Sequence, residues 1–214
     1  MMRIALIHAL AQSVAPINEE MSRAWPEAQR MNLLDDSLSA DLQESGQGLD
    51  AVMHGRFEAL AAYAVGTGAQ AILFTCSAFG PCIDAVAQQH PGIPVLKPNE
   101  AMVREAAACG GRVGLIASFA PTLASMPAEF PSQVDLRSVL AGGALQALHR
   151  GDVAAHDALV VAAARELAAA SCSVIALAQF SMARAAPAVR DALGLPVLTT
   201  PTSAVRALRQ RLAA

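Results

Sequence analysis

The chain has 214 residues, a length that suits one compact domain or two small lobes packed together. Its formal net charge of −3 provides no basic surface for nucleic acid, and hydrophobic residues make up 54% of the chain. No apolar run is long enough to cross a membrane, and the first residues lack the pattern of a signal peptide. We therefore expect a cytoplasmic globular protein that binds neither nucleic acid nor a membrane.

Short β-rich runs alternate with alanine-rich helical stretches, a pattern typical of a parallel sheet covered by helices. The predicted elements, in chain order, are strand 3–8, helices 17–24 and 49–65, strand 71–75, helix 82–89, strand 95–96, helix 99–109, strand 112–117, helix 152–170, strand 173–177, helix 187–193, strand 197–198 and helix 202–212. The spacing of the four cysteines matches no zinc motif, so we expect reduced thiols and no metal site.

The two halves of the chain resemble each other. Gly-Ile-Pro-Val-Leu at 92–96 recurs as Gly-Leu-Pro-Val-Leu at 194–198, and Asp50 recurs as Asp152, both at an offset of 102 residues. A shared offset in separate segments indicates an internal duplication rather than a chance likeness between two α/β units.

The repeat predicts an α/β fold with two similar lobes related by a pseudo-twofold axis. Each lobe is a short parallel sheet covered by helices, with a cleft between the lobes. We assign residues 1–97 with 199–214 to the first lobe and 98–198 to the second. Ligands of open parallel sheets bind beyond the carboxyl ends of the strands, so the turns after the strands are where functional residues are expected.

Cys76 is the strongest candidate for a catalytic residue. It ends an apolar strand and begins a turn of small residues, Ser77 and Ala78, before a helix. A helix N-terminus favours a thiolate over a thiol, which would make this cysteine reactive. His8 follows the first strand, where an imidazole can pair with a thiolate or bind a substrate carboxylate.

Further candidates for substrate binding follow the strands of the second lobe. Their hydroxyls and backbone N–H groups can stabilise the negative charge that develops beside a carboxylate when a proton leaves the neighbouring carbon. These candidates are Ser118, Thr122, Phe180, Ser181 and Thr200, and Ser77 and Ala78 in the turn after Cys76 are candidates for the same role in the first lobe. The chain has no glycine-rich phosphate loop, so no nucleotide cofactor is expected.

The ordered motifs resemble the aspartate/glutamate/hydantoin racemase superfamily over nearly the whole chain. The likeness lies in the Thr75-Cys76-Ser77 turn, Pro94-Val95 before a helix, the strand 113–117 leading to Thr122, and Leu-Ala-Gln-Phe-Ser-Met-Ala at 177–183. It implies racemization without a cofactor by two facing cysteines, one per lobe, with a small carboxylate as substrate. It also implies a homo-oligomer, a dimer or larger.

The second cysteine of that superfamily is absent here. Aligning the family's Leu-Gly-Cys-Thr-Gly-Met turn on Met182 puts Gln179 in its place, whereas the strict offset from Cys76 gives Ala178. Neither side chain can donate and accept a proton with a useful pKa.

Three interpretations therefore remain open. In the first, the chain is a racemase or isomerase that acts through Cys76 with another second acid, such as His8 or water. In the second, one thiol supports one-sided chemistry, as in a decarboxylase or a cis–trans isomerase of a diacid. In the third, the protein binds a small carboxylate without turning it over.

Overall fold

The computed structural model describes residues 2–213, in which strands and helices alternate along the chain. The chain forms two compact units. The first runs to Pro98 and resumes at Ala204, and the second is Asn99–Ser203. Among the described residues, every helix is too short or too polar to span a membrane.

The first unit is built on a four-stranded parallel sheet. Its strands are β1 (Arg3–His8), β2 (Gln29–Leu34), β3 (Ala71–Phe74) and β4 (Val95–Leu96), which pair in the order β2-β1-β3-β4. Its helices are α1 (Val14–Ala24), α2 (Ser37–Ser45), α3 (Ala51–Gly66) and α4 (Gly80–Gln89). β3 is buried along its whole length, as expected for a central strand covered by helices on both faces.

The second unit has the same plan. Its strands are β5 (Val113–Ala117), β6 (Leu136–Leu140), β7 (Val174–Leu177) and β8 (Val197–Thr199), which pair in the order β6-β5-β7-β8. Its helices are α5 (Glu100–Ala108), α6 (Ala120–Ser125), α7 (Ala144–His149), α8 (Val153–Ala169) and α9 (Ala186–Leu193), and α10 (Thr200–Ala213) begins in it.

Matching helix caps accompany the matching sheets. The Asp50 carboxylate accepts a hydrogen bond from the Met53 N–H at 2.8 Å and begins α3, and Asp152 accepts from the Ala155 N–H at 3.0 Å and begins α8. An aspartate at this position satisfies an amide that has no partner within its helix. The predicted α/β fold with two similar, helix-covered parallel sheets is confirmed.

The sequence pattern does not predict β2 and β6, although the predicted strands are all present. Both are edge strands, and most of their residues are partly or fully exposed. They combine apolar residues with arginine, asparagine or serine, without the continuous apolar run of a central strand. Their pairing with β1 and β5 is parallel and depends on contacts between segments separated in sequence.

Gly114 provides a test of the packing of α8 against β5. A Cβ atom at this position would lie 2.9 Å from Leu167 Cδ1 and 3.1 Å from Leu167 Cβ, closer than packed carbon atoms allow. We expect Gly114→Val to lower the free energy of unfolding by about 1–3 kcal/mol, since overpacking a filled core costs about that much. Urea denaturation measures the change, with Gly142→Val as the control because a Cβ at Gly142 meets no atom within 4 Å. Equal unfolding midpoints in the two variants would contradict the described packing.

Candidate active site

Cys76 lies just beyond the carboxyl end of β3. The Thr75 N–H donates to the Ile7 carbonyl at 3.0 Å, which holds the end of β3 against β1. Cys76 then has extended backbone and leads into a short 3-10 turn, Ser77–Phe79, before α4 begins at Gly80. Ser77 and Ala78 are buried in this turn, so the structure keeps the three predicted residues together.

The surroundings of the Cys76 side chain are mostly apolar. The residue is partly exposed, and it lines a small pocket together with Ile7, His8, Ala9, Leu38, Phe57 and Phe74. The described structure therefore places the predicted His8 and Cys76 beside one pocket that contains little polar surface.

Burial raises the pKa of the Cys76 thiol to about 11, although a hydrogen bond from the Ala78 backbone N–H acts in the opposite direction. The preference for a thiolate that the sequence predicts from the nearby helix is wrong for this structure, because the cost of desolvating the anion is larger. At neutral pH Cys76 is therefore a thiol.

Ser39 is a neighbour of Cys76 that sequence analysis does not identify. Its Oγ lies 4.0 Å from the Cys76 Sγ and 2.7 Å from the Ala9 carbonyl oxygen. The carbonyl can only accept, so the single hydroxyl proton of Ser39 points to Ala9, and its oxygen faces the thiol as an acceptor. Ser39 can stabilise a thiolate only after its proton turns from Ala9 to the sulfur.

His8 is fully buried, and both nitrogens of its ring have partners. Nδ1 lies 2.8 Å from the Thr75 Oγ1, and Nε2 lies 3.0 Å from the Asn32 Oδ1. Since Asn32 Oδ1 is an acceptor that also receives a hydrogen bond from Asn18, Nε2 carries the proton and Nδ1 accepts from Thr75. Burial lowers the pKa of His8, so the ring is neutral at pH 7. Through its hydrogen bond with Thr75, His8 therefore fixes the side chain of the residue directly before Cys76.

Sheet register decides which residue of the second unit corresponds to Cys76. Ile7 pairs with Phe74 in one sheet as Ile116 pairs with Leu177 in the other. The Ala178 N–H donates to the Ile116 carbonyl at 2.9 Å, which repeats the hydrogen bond made by Thr75.

In each unit, the residue directly after the one that donates this hydrogen bond has extended backbone and leads into a 3-10 turn. It is Cys76 in the first unit and Gln179 in the second. By this register, the counterpart of Cys76 is Gln179 rather than Ala178.

The Gln179 side chain is held by the turn after β5. Its Oε1 accepts from the Ser118 N–H at 2.6 Å, the Ser118 hydroxyl at 3.1 Å and the Phe119 N–H at 3.2 Å. All three bonds are buried. Two residues that were predicted separately as site candidates, Ser118 and Gln179, are thus brought together by direct hydrogen bonds.

The other candidates of the second unit are buried beyond the ends of its strands. Phe180 and Ser181 follow Gln179 in its 3-10 turn, Thr122 lies in α6, and Thr200 begins α10. The hydroxyl oxygens of Ser181 and Thr200 have no hydrogen-bond partner among residues 2–213. Two buried hydroxyls therefore retain unused capacity for hydrogen bonding.

The chain is similar to known racemases in sequence family and in fold. The family model described as Asp/Glu/Hydantoin racemase matches residues 12–208. A glutamate racemase from Bacillus anthracis has a TM-score of 0.80 at 15% identity, covering 99% of this chain and 82% of that one. An allantoin racemase from Pseudomonas fluorescens has a TM-score of 0.74 at 16% identity, covering 99% of this chain and 91% of that one.

An aspartate racemase from Picrophilus torridus has a TM-score of 0.72 at 10% identity, covering 100% of this chain and 95% of that one. At these identities the likeness to the solved structures shows the fold alone. No curated protein matches the sequence.

The raised pKa of Cys76 predicts slow alkylation at neutral pH. Because the thiolate is the nucleophile, the rate of Cys76 modification by iodoacetamide should rise about tenfold per pH unit from pH 7 to 9.5. Peptide mass spectrometry after timed quenching measures this rate separately from that of the exposed Cys109. A Cys76 rate that levels off near neutral pH would show that the thiol is activated, contrary to this expectation.

Proposed function

Because the chain belongs to the Asp/Glu/Hydantoin racemase family, we propose that it is a cofactor-independent isomerase that acts through the Cys76 thiol. Its substrate is a small molecule, and the reaction takes place at the carbon next to a carboxylate or carbonyl group. The observation that supports this assignment is the position of Cys76, a partly exposed residue just beyond the carboxyl end of the central strand β3 whose side chain lines a pocket. Ligands of open parallel sheets bind at that edge.

The other cysteines are less suited to this role. Cys82 is buried within α4, Cys172 is buried just before β7, and Cys109 ends α5 at an exposed position. Of the four cysteines, Cys76 is the one that lies at the carboxyl end of a strand and lines the described pocket.

Racemization requires two proton transfers. A Cys76 thiolate removes the proton from the substrate carbon, and the electron pair moves into the neighbouring carbonyl or carboxylate group. A second donor then returns a proton to the opposite face of that carbon. Since Cys76 is a thiol at rest, the first transfer proceeds from the ionised fraction, in which the thiol proton has passed to water and the Ser39 hydroxyl can turn to donate to the sulfur.

The second proton source differs from that of a two-thiol racemase. Gln179 stands at the position that register equates with Cys76, and an amide does not exchange protons at a useful rate. Both nitrogens of His8 are already hydrogen-bonded, to Thr75 and Asn32. We therefore assign the second proton to water.

A second candidate function is one-sided protonation, and the protonated state of Cys76 favours it. When a substituted malonate loses carbon dioxide, the electron pair of the broken bond remains on the central carbon. The Cys76 thiol gives its proton to that carbon, and the resulting thiolate regains a proton from water. This reaction needs no second thiol, which agrees with the presence of Gln179.

The Cys76→Ser variant tests this proposal. We expect this variant to lose at least about a hundredfold of activity, because a hydroxyl is a far weaker acid and base at this position than a thiol. Candidate amino acids, hydantoins and substituted malonates are incubated in D₂O, and deuterium at the substrate carbon, chirality and carbon dioxide release are followed. Exchange with racemization supports the isomerase, and decarboxylation or exchange without racemization supports one-sided chemistry.

Cys109→Ser is the matched control, since Cys109 is exposed at the end of α5. Its activity should equal that of the unsubstituted chain. Circular dichroism confirms that both variants fold. Full turnover in folded Cys76→Ser would overturn the assignment of the thiol.

A further inference from the structure

The amide group of Gln179 has a defined orientation. Three donors converge on one atom: the N–H groups of Ser118 and Phe119 and the Ser118 hydroxyl. An amide nitrogen carries two hydrogens and cannot accept these bonds, so the atom in their midst is the oxygen. The network that holds the oxygen therefore also fixes the direction of the NH₂ group.

The NH₂ group of Gln179 is available to a ligand. No residue among 2–213 accepts a hydrogen bond from its Nε2. Unlike the hydroxyl oxygens of Ser181 and Thr200, this nitrogen is not fully buried. The small exposed fraction of the residue, 8%, thus includes a nitrogen with two unused donors. Because Ser118 and Phe119 fix the buried amide oxygen, the accessible NH₂ group of Gln179 is a hydrogen-bond donor with a fixed orientation.

Two further polar groups lie near the same edge of this sheet. The Ser181 hydroxyl is two residues beyond Gln179, and the Thr200 hydroxyl comes directly after β8, whose Thr199 pairs with Leu177 of β7. Both hydroxyl oxygens are buried without a partner among the described residues. Unpaired buried polar groups are costly, and a ligand oxygen or a water molecule can satisfy them.

We propose that the turn after β7 forms a binding site for a carboxylate or carbonyl oxygen of a small molecule, in which the NH₂ group of Gln179 donates the hydrogen bonds and determines which ligands bind. The inference goes beyond the proposed function, because the residues that form this site all belong to the second unit. Gln179 recognises an acceptor there without changing its own protonation.

This role restricts the chemistry of the ligand group that Gln179 contacts. Two N–H donors attract an oxygen that bears a negative or partial negative charge, and they repel an ammonium group. The group is therefore a carboxylate or an amide-type carbonyl. Malonate and hydantoin carry such oxygens, and an alkylamine does not.

The test measures binding rather than turnover, in a Cys76→Ser background that cannot react. Malonate, hydantoin and butylamine are titrated by calorimetry against this protein and against two further variants. Gln179→Glu keeps an oxygen for the three donors but replaces the NH₂ group by an acceptor. Gln179→Met keeps the length of the side chain and removes the donors without adding charge.

We expect malonate affinity to fall about 10- to 100-fold in both variants, the loss typical of a hydrogen bond to a charged group. Gln146→Glu is the control for added charge, because Gln146 is an exposed glutamine on α7 of the same unit. Its affinity should stay within twofold. Thermal unfolding shows whether Gln179→Met folds. Gln179→Glu retains an oxygen that can accept from the three donors of Ser118 and Phe119.

A purely structural role for Gln179 gives a different result. Gln179→Glu would then bind malonate as tightly as the parent, and that outcome overturns the proposal, as does a parent that binds neither malonate nor hydantoin. Preferential binding of butylamine overturns it as well. Loss of turnover in Cys76→Ser together with unchanged binding in Gln179→Glu would reject this inference and leave the proposed function standing. Weakened binding with full turnover in Cys76→Ser would do the reverse.

Discussion

Parallel pairing of the two central strands in each sheet is the constraint on which both candidate positions depend. β3 pairs with β1, β7 pairs with β5, and one further backbone hydrogen bond extends each pair past the strand end. Side chains alternate in direction along extended backbone, so a shift by one residue would exchange Cys76 for Thr75 and Gln179 for Ala178. The register thus determines which chemical group stands at each turn.

Burial then determines what those groups can do. The apolar surroundings keep Cys76 protonated and His8 neutral, although each belongs to a residue type that often ionises at catalytic sites. In the second unit, the donors of the turn after β5 are satisfied by the amide oxygen of Gln179. The chain has the fold of a racemase family, and one of its two equivalent turns carries a hydrogen-bonded glutamine where the other carries a thiol.

Features that depend on nearby residues could be predicted from the sequence. The buried strands β3 and β7 are continuous apolar runs, and the aspartates before α3 and α8 are followed closely by the amides that they cap. The edge strands β2 and β6 could not be predicted, because exposure on their sides removes the apolar pattern, and their parallel pairing joins segments that are far apart in the chain.

For the candidate site, the sequence by itself determined the residue types: a cysteine after one strand, and a glutamine instead of a cysteine in the repeat. It also favoured a thiolate at Cys76 through the nearby helix, which is a local effect. Only the tertiary structure decided that Cys76 is a thiol and that Ser118 clamps Gln179. It likewise placed Ser39 against the sulfur, across 37 residues of chain. The reason is physical: desolvation and side-chain hydrogen bonds depend on atoms that folding brings together from distant segments.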